Sequence, residues 1–429
     1  MFNLFNKEIP ANNIPLDINK NIINTANHPA ELAEIIIDKG IGCYLIDSQG
    51  NKYLDAVSSM YTNIHGHNNK TINDAIITQV NMISHSTLSD ISHSPAIKLT
   101  TQLLSILPKE LQQIMYTDNE LSTIEQSLRL AIETTKKDNF LVFSNELHTK
   151  TLQSINNKIK IINLPYPEIT KYDIDQTTEV IELNDYISKQ IINHKKNLAG
   201  VIIEPLIQSL NDVKKSHPAI LKNIRDKCNE LNIPLIFDET MTAFGRTGGM
   251  FAFEKAGVIP DILCLGQSLS GGYLPIGAIA VSEKIKTKET SKSFNTKYHS
   301  YIANPLSCAA AIANLQLLTE NQFIEKIQET IYYLITGLKE IRKLTHVAKI
   351  IQEGLIVSIT FCKDEAKTPY PTEKKVGYKI FKDALKNGVL LGKTDNSIIL
   401  SPPLTITKSE LNLLLEKTKH SIINVTKGL

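Results

Sequence analysis

The stretch DETMTAFGRTGGMFAFEKAGVIPDILCLGQSLSGGYLPIGA, residues 238–278, decides the fold. It begins at the end of one apolar run, IPLIFDET (233–240), and contains another, DILCLG (261–266). Both are short enough for strands and are bounded by turn-forming residues. The near-continuous apolar character of LIF here, and of VII upstream, suits parallel strands covered on both faces rather than half-exposed ones. FLVFSN (140–145) and AGVIIEPL (199–206) belong to the same rhythm, and AILKNIRDKCNELN (219–232) reads as a crossover helix. The expectation is an α/β protein: a large, mostly parallel sheet domain with helices on both faces.

Outside this centre the pattern changes. GCYLIDSQGNKYLDAVSS (42–59) reads as a hairpin, two apolar runs separated by a DSQGN turn. IANPLSCAAAIANLQLL (302–318) reads as a helix with Pro305 near its first turn, followed from about residue 320 by a mixed tail. The expected division is a large domain over 60–320 and a smaller α+β domain assembled from both chain ends, 1–59 and 321–429. There is no repeat and no low-complexity linker.

The 429 residues carry 46 Lys+Arg against 44 Asp+Glu, a net charge of +2 without blocks of one sign. That balance argues against nucleic acid or a membrane surface as partner and favours a small molecule. Five cysteines (Cys43, Cys228, Cys264, Cys308, Cys362) lack CxxC spacing, so a reducing, cytoplasmic protein without zinc or disulfides is expected. No run approaches the roughly 18 apolar residues of a membrane span, and the start, MFNLFNKEIPANN, lacks the charge and apolar order of a signal peptide. His65 and His67 in NIHGH have no third ligand at convincing spacing, so no metal is expected.

Residues 238–278, with YLDAVSSMYTNIHGH (53–67), YTDNELSTIEQSLRLA (116–131), IIEPLIQ (202–208), YHSYIANPLSCAAA (298–311) and GVLLGKTDNSIILSPPLTIT (388–407), resemble class III aminotransferases in order and spacing. These are pyridoxal 5'-phosphate (PLP) enzymes of fold type I, and the likeness covers roughly residues 40–410. Within the class, SS-x-x-x-N-I-H-G-H and Y-T-D-N look most like the adenosylmethionine-8-amino-7-oxononanoate aminotransferases of biotin synthesis. The resemblance implies a lysine that holds PLP as a Schiff base and then moves a proton, and a buried carboxylate that keeps the pyridine nitrogen protonated. Asp238 occupies the carboxylate position.

Gln267 occupies the lysine position, and an amide is neither nucleophilic nor basic. Other cofactor positions depart as well. After Asn119, Glu120 and Leu121 replace the small Gly-Ser pair of the phosphate-binding turn, and Leu147 replaces the stacking tyrosine beside His148. On the substrate side, Gly392 replaces the carboxylate-binding arginine, with Lys393 beside it read either as a partial point-charge substitute or, the better account, as a solvated loop lysine. Met60 and Tyr61 replace a Trp-Trp pair of the pocket wall, leaving some aromatic surface, and Tyr298 is a further substrate-side candidate. Arg246 in FGRTG and Gly271-Gly272 are retained, with turn geometry and loop packing at least as good an account as catalysis.

Ser300 matches the hydroxyl residue that reaches the partner's cofactor phosphate in relatives, which implies a homodimer with shared sites acting, if at all, on an amine and a keto acid. The departures together imply no covalent PLP, disfavour noncovalent PLP, and predict lost or severely impaired transamination. The alternatives are an active PLP enzyme using another base, such as His148 or a nearby lysine, and a non-catalytic regulatory or binding dimer.

Overall fold

The computed structural model describes residues 35–88, 91–144, 146–155, 159–169, 177–208, 213–285 and 300–428. Its centre is a seven-stranded sheet, numbered in chain order: β1 Leu111–Thr117, β2 Asn139–Phe143, β3 Ile161–Leu164, β4 Leu198–Ile203, β5 Leu235–Asp238, β6 Ile262–Leu265 and β7 Gly277–Ser282. The order across the sheet is β1-β7-β6-β5-β4-β2-β3, and β7 alone runs antiparallel to its neighbours. Every residue of β4, β5, β6 and β7 is buried, which is why their sequences read as unbroken apolar runs.

Alternation survives inside those runs as a choice between two cores. Val201, Phe237, Leu263 and Leu265 face one side with Ile220 and Ile224 of the helix Pro218–Glu230. Ile202, Ile236, Ile262 and Cys264 face the other with Ile124 and Leu128 of the helix Glu120–Thr135. Burying each such aliphatic side chain contributes about 1.5–3 kcal/mol before entropy is counted. The helix expected over 219–232 thus covers a sheet face, and the one expected over 302–318 spans Pro305–Thr319, with Asn304 capping Leu306 and Ser307.

The expected hairpin is Tyr44–Asp47 paired with Lys52–Asp55. Its turn is fixed by Asp47, whose carboxylate accepts from the Gln49 and Asn51 amides and the Tyr53 hydroxyl. Ile37–Ile41 adds a third strand, and Val389–Leu390 from the far end of the chain pairs in parallel with Leu54 and Asp55. A separate sheet carries Val347–Glu353, Ile356–Phe361, Ser397–Leu400 and Gly392–Lys393.

Between the strand Lys52–Asp55 and the helix Lys70–Met82 lies an unusual turn. Ser58, Ser59, Met60 and Tyr61 all have left-handed backbone angles, with φ of 48°, 47°, 65° and 71°. None is glycine, and each such residue costs roughly 1–2 kcal/mol. The compensation is Arg246. Its fully buried guanidinium donates to Tyr61 O from Nε (3.2 Å) and Nη2 (3.0 Å), and to Pro402 O from Nη1 (2.6 Å). Ser268 Oγ also donates to Tyr61 O (2.8 Å), and Ser58 Oγ to Ser401 O (2.7 Å). Burial lowers the Arg246 pKa to about 9, with the Asp55 charge opposing the shift. Of the two sequence readings for Arg246, turn geometry and loop packing is the one its contacts favour: the side chain fastens three distant segments.

Arg246→Met would leave the Pro402 carbonyl without its closest donor and take the fork from Tyr61, so a loss of about 3 kcal/mol or more is expected. Urea denaturation measures it, and an unchanged midpoint would mean that the clasp carries little stability.

Candidate active site

Four segments meet at the carboxyl edge of the parallel strands, where α/β sheets bind ligands. Asp238 ends β5 and is buried. Its Oδ2 is 2.8 Å from His148 Nε2, and its Oδ1 accepts from the Thr240 amide (3.0 Å) and hydroxyl (2.7 Å). Burial alone would raise the Asp238 pKa, but the hydrogen bond and charge of His148, with the two Thr240 bonds, bring it below the usual carboxylate range. The group is therefore a fixed, buried anion.

Gln267 follows β6 in a turn closed by the Leu269 amide on Gly266 O (2.7 Å). Its amide oxygen is buried and accepts no hydrogen bond. Asn119 and Glu120 follow β1. Asn119 caps the helix Glu120–Thr135 by accepting from the Ser122 amide (2.9 Å), so one of the helix's free amides is already satisfied. Glu120 reaches the same edge: a Cβ built on Gly266 would lie 3.2 Å from the Cβ atoms of both Glu120 and Thr240. Leu121 is 51% exposed. The structure thus gathers Asp238, His148, Asn119, Glu120 and Gln267, while Tyr298 and the Leu147 side chain lie outside the described residues.

The substrate side corrects two expectations. Lys393 is not a solvated loop lysine: it lies in the strand Gly392–Lys393, half-buried, with Nζ 4.1 Å from the Phe381 ring centroid. Burial lowers its pKa. Tyr61 supplies no aromatic wall, because it is buried in a cluster with Ile207, Met241 and Ile399, while Met60 is 65% exposed. Gly392 packs too closely for a side chain in this arrangement, since a Cβ there would meet Ile399 Cβ at 2.9 Å and Val57 Cγ1 at 3.1 Å. A Cβ on Gly272 would lie 1.6 Å from Asn63 Oδ1, and Gly271 and Gly272 both have positive φ, so this pair answers to backbone packing. Ser300 is exposed.

The sequence reading missed three residues. Thr240, two places after Asp238, carries the signal of a side-chain turn that was not used. Ser268 ties the Gln267 turn to Tyr61, and fully buried Asn314 donates to Ser268 O (3.0 Å) and Leu269 O (2.9 Å). A lone amide in an alanine-rich apolar helix was its only sign.

The family profile described as Aminotransferase class-III matches residues 25–422. The chain belongs to the class III aminotransferases. It is 32% identical over 420 residues to an adenosylmethionine-8-amino-7-oxononanoate aminotransferase of Nitratidesulfovibrio vulgaris, covering 91% of this chain and 78% of that one. Its counterpart of the same name in Geobacter sulfurreducens is 30% identical, covering 93% and 94%. The crystal structure of the adenosylmethionine-8-amino-7-oxononanoate aminotransferase of Methanocaldococcus jannaschii superposes with a TM-score of 0.83 at 28% identity, covering 95% of this chain and 98% of that one.

Class III aminotransferases depend on PLP, and this site suits that cofactor at one end only. Asp238, held by His148 and Thr240, fits a protonated pyridine nitrogen. At the other end the helix start is capped by Asn119 and bears the Glu120 carboxylate, which opposes a phosphate dianion. Gln267 leaves a carbonyl oxygen without a donor where the class has an amine. The site as a whole does not fit the cofactor.

The NIHGH histidines are occupied structurally. His67 bridges Asp55 (2.9 Å) and Asn63 (2.9 Å), and His65 packs on Phe323 with ring centroids 5.2 Å apart. Burial lowers the His65 pKa from 6.5 to about 4, against hydrogen bonds with Asn314. The folded protein therefore holds His65 neutral while the unfolded chain takes up a proton. Its contribution to stability is complete above pH 6.5 and is lost as pH falls from there toward 4, by up to about 3 kcal/mol. His65→Gln should flatten unfolding free energy over this interval. An unchanged pH slope in the variant would assign the acid sensitivity to other groups.

Proposed function

We propose that this chain is a class III aminotransferase that has lost ordinary transamination, derived from enzymes that transfer an amino group to 7-keto-8-aminopelargonate in biotin synthesis. The observation that carries this reading is Gln267 after β6, beside the strand that ends in Asp238. Schiff-base formation needs a nucleophilic amine and the subsequent proton shift needs a base, and the glutamine amide provides neither. Glu120 and Gly392 extend the loss to phosphate and carboxylate recognition. A reading in which His148 takes over as base has less support, because its Nε2 is bonded to Asp238 and the ring is buried.

Purified protein mixed with PLP should develop no Schiff-base absorption band that survives dialysis, and the gene should not restore growth of a biotin auxotroph lacking the aminotransferase. A persistent band removed by borohydride, or growth without biotin, refutes the proposal. Gln267→Lys alone should remain inactive, since the phosphate and carboxylate ends are altered too; substantial turnover in that variant would make Gln267 the sole lesion.

The same reading includes a homodimer in a reducing, cytoplasmic setting. It is supported by five buried free cysteines and by an apolar surface on the helix Lys70–Met82, where Ile77, Val80 and Met82 are exposed. That surface continues to Ser84 and His85, which touch Asn304 and Tyr301 beside Ser300. Light scattering after size exclusion should give twice the chain mass, and a stable monomer at micromolar concentration would remove shared sites from the proposal.

A further inference from the structure

The amino-terminal edge of the central sheet holds a cleft of about 510 Å³, within the size range of small-molecule sites. It lies where β5 and β6 begin and β7 ends, so the length of β5, roughly 10 Å at about 3.3 Å per residue, separates it from Asp238. Two side chains in its wall are buried and incompletely bonded. Arg225, on the helix Pro218–Glu230, is 7% exposed. Its Nη1 donates to Asp261 Oδ2 (2.9 Å) and Ile259 O (3.2 Å), but among the described residues Nε and Nη2 have no acceptor. Ser282, at the end of β7, is 8% exposed, and its Oγ has no partner among the described residues either.

Asp261 does not supply what is missing. Its Oδ2 already accepts from Arg225 and from the Leu235 amide (2.9 Å), and its Oδ1 is 3.5 Å from Lys284 Nζ. The unmatched edge of the guanidinium, Nε with Nη2, carries two parallel N–H bonds, a spacing that one carboxylate fills with both oxygens. A desolvated donor pair is costly to leave unmade. The Arg225–Asp261 pair is neutral as a unit, and at the exposed rim Glu110, Asp226 and Glu283 outnumber Lys222 and Lys284. That balance opposes a phosphate dianion and favours a ligand that carries a cation beside its carboxylate. Val258, Ile259 and Pro260 add an apolar stretch to the wall. We propose that this cleft binds a free aliphatic α-amino acid, its carboxylate against Arg225 Nε and Nη2 and the Ser282 hydroxyl, its ammonium toward the acidic rim. The site is separate from the candidate active site and does not depend on whether that site transaminates.

Isothermal titration of the full chain with L-leucine tests this, with L-leucine methyl ester, which lacks the carboxylate, and inorganic phosphate as comparisons. Leucine should bind saturably, and the ester and phosphate should bind roughly tenfold more weakly or not at all. Ser282→Ala removes only an unpartnered hydroxyl, so the fold should persist while leucine weakens about fivefold. Asp226→Asn combined with Glu283→Gln, both at exposed positions, should weaken leucine by about the same factor. Amide hydrogen exchange locates the ligand, which should slow exchange over 257–261 and 282–284. Absence of saturable leucine binding, ester or phosphate bound as tightly as leucine, affinity unchanged in either variant, or protection confined to 119–121 and 266–268 each overturns the inference. The functional proposal is decided separately, by the Schiff-base band and by growth without biotin.

Discussion

The buried guanidinium of Arg246 is the constraint on which the architecture turns. Among the described residues no carboxylate pairs with it, yet it ties the left-handed turn at Ser58–Tyr61, the loop after β5 and the Ser401-Pro402 segment through backbone carbonyls. An arginine suits this role better than a lysine because its planar fork addresses several acceptors in fixed directions. Ser268, immediately after Gln267, donates to the same Tyr61 carbonyl. The skeleton of the site is therefore held by a structural network that does not require the chemistry of the class.

That separation explains how the site can change so far while the fold stays intact. Both carboxylate oxygens of buried Asp238 are satisfied by His148 and Thr240 without a ligand. Breaking these bonds would leave an uncompensated buried charge, so the residues are held in place by the cost of removing them. Glu120, Leu121, Gln267 and Met60 stand at the margin, partly or largely exposed, where substitution costs the fold little. At Gly392 the constraint is steric, because Val57 and Ile399 leave no room for a side chain.

The large sheet was legible in the sequence because its strands are buried on both faces and their apolar runs are unbroken. The 42–59 hairpin and the helix start at Pro305 were legible for equally local reasons, a polar turn and a proline at the first helical position. Asp238 and Gln267 were legible through the resemblance, since they stand at the ends of recognisable strands. What stayed hidden was long-range. Lys393 read as a loop cation because Phe381 is distant in sequence, and Tyr61 read as wall surface because its buried neighbours come from several strands. Arg246 read as a turn and loop-packing residue, but nothing local names Tyr61 or Pro402 as its partners.

The pairing of Ser58 with Ser401 spans 343 positions of the chain, and the parallel strand at Val389–Leu390 closes over Lys52–Asp55 across a comparable separation. During synthesis, the central sheet has all of its strands by Ser282, whereas the amino-terminal turn waits for partners more than a hundred residues further on. Closing such distant contacts is slow relative to local structure. The left-handed turn is thus completed late in the life of the nascent chain, and a ribosome that stops short of residue 400 leaves Ser58 and one arm of Arg246 without their carbonyl partners.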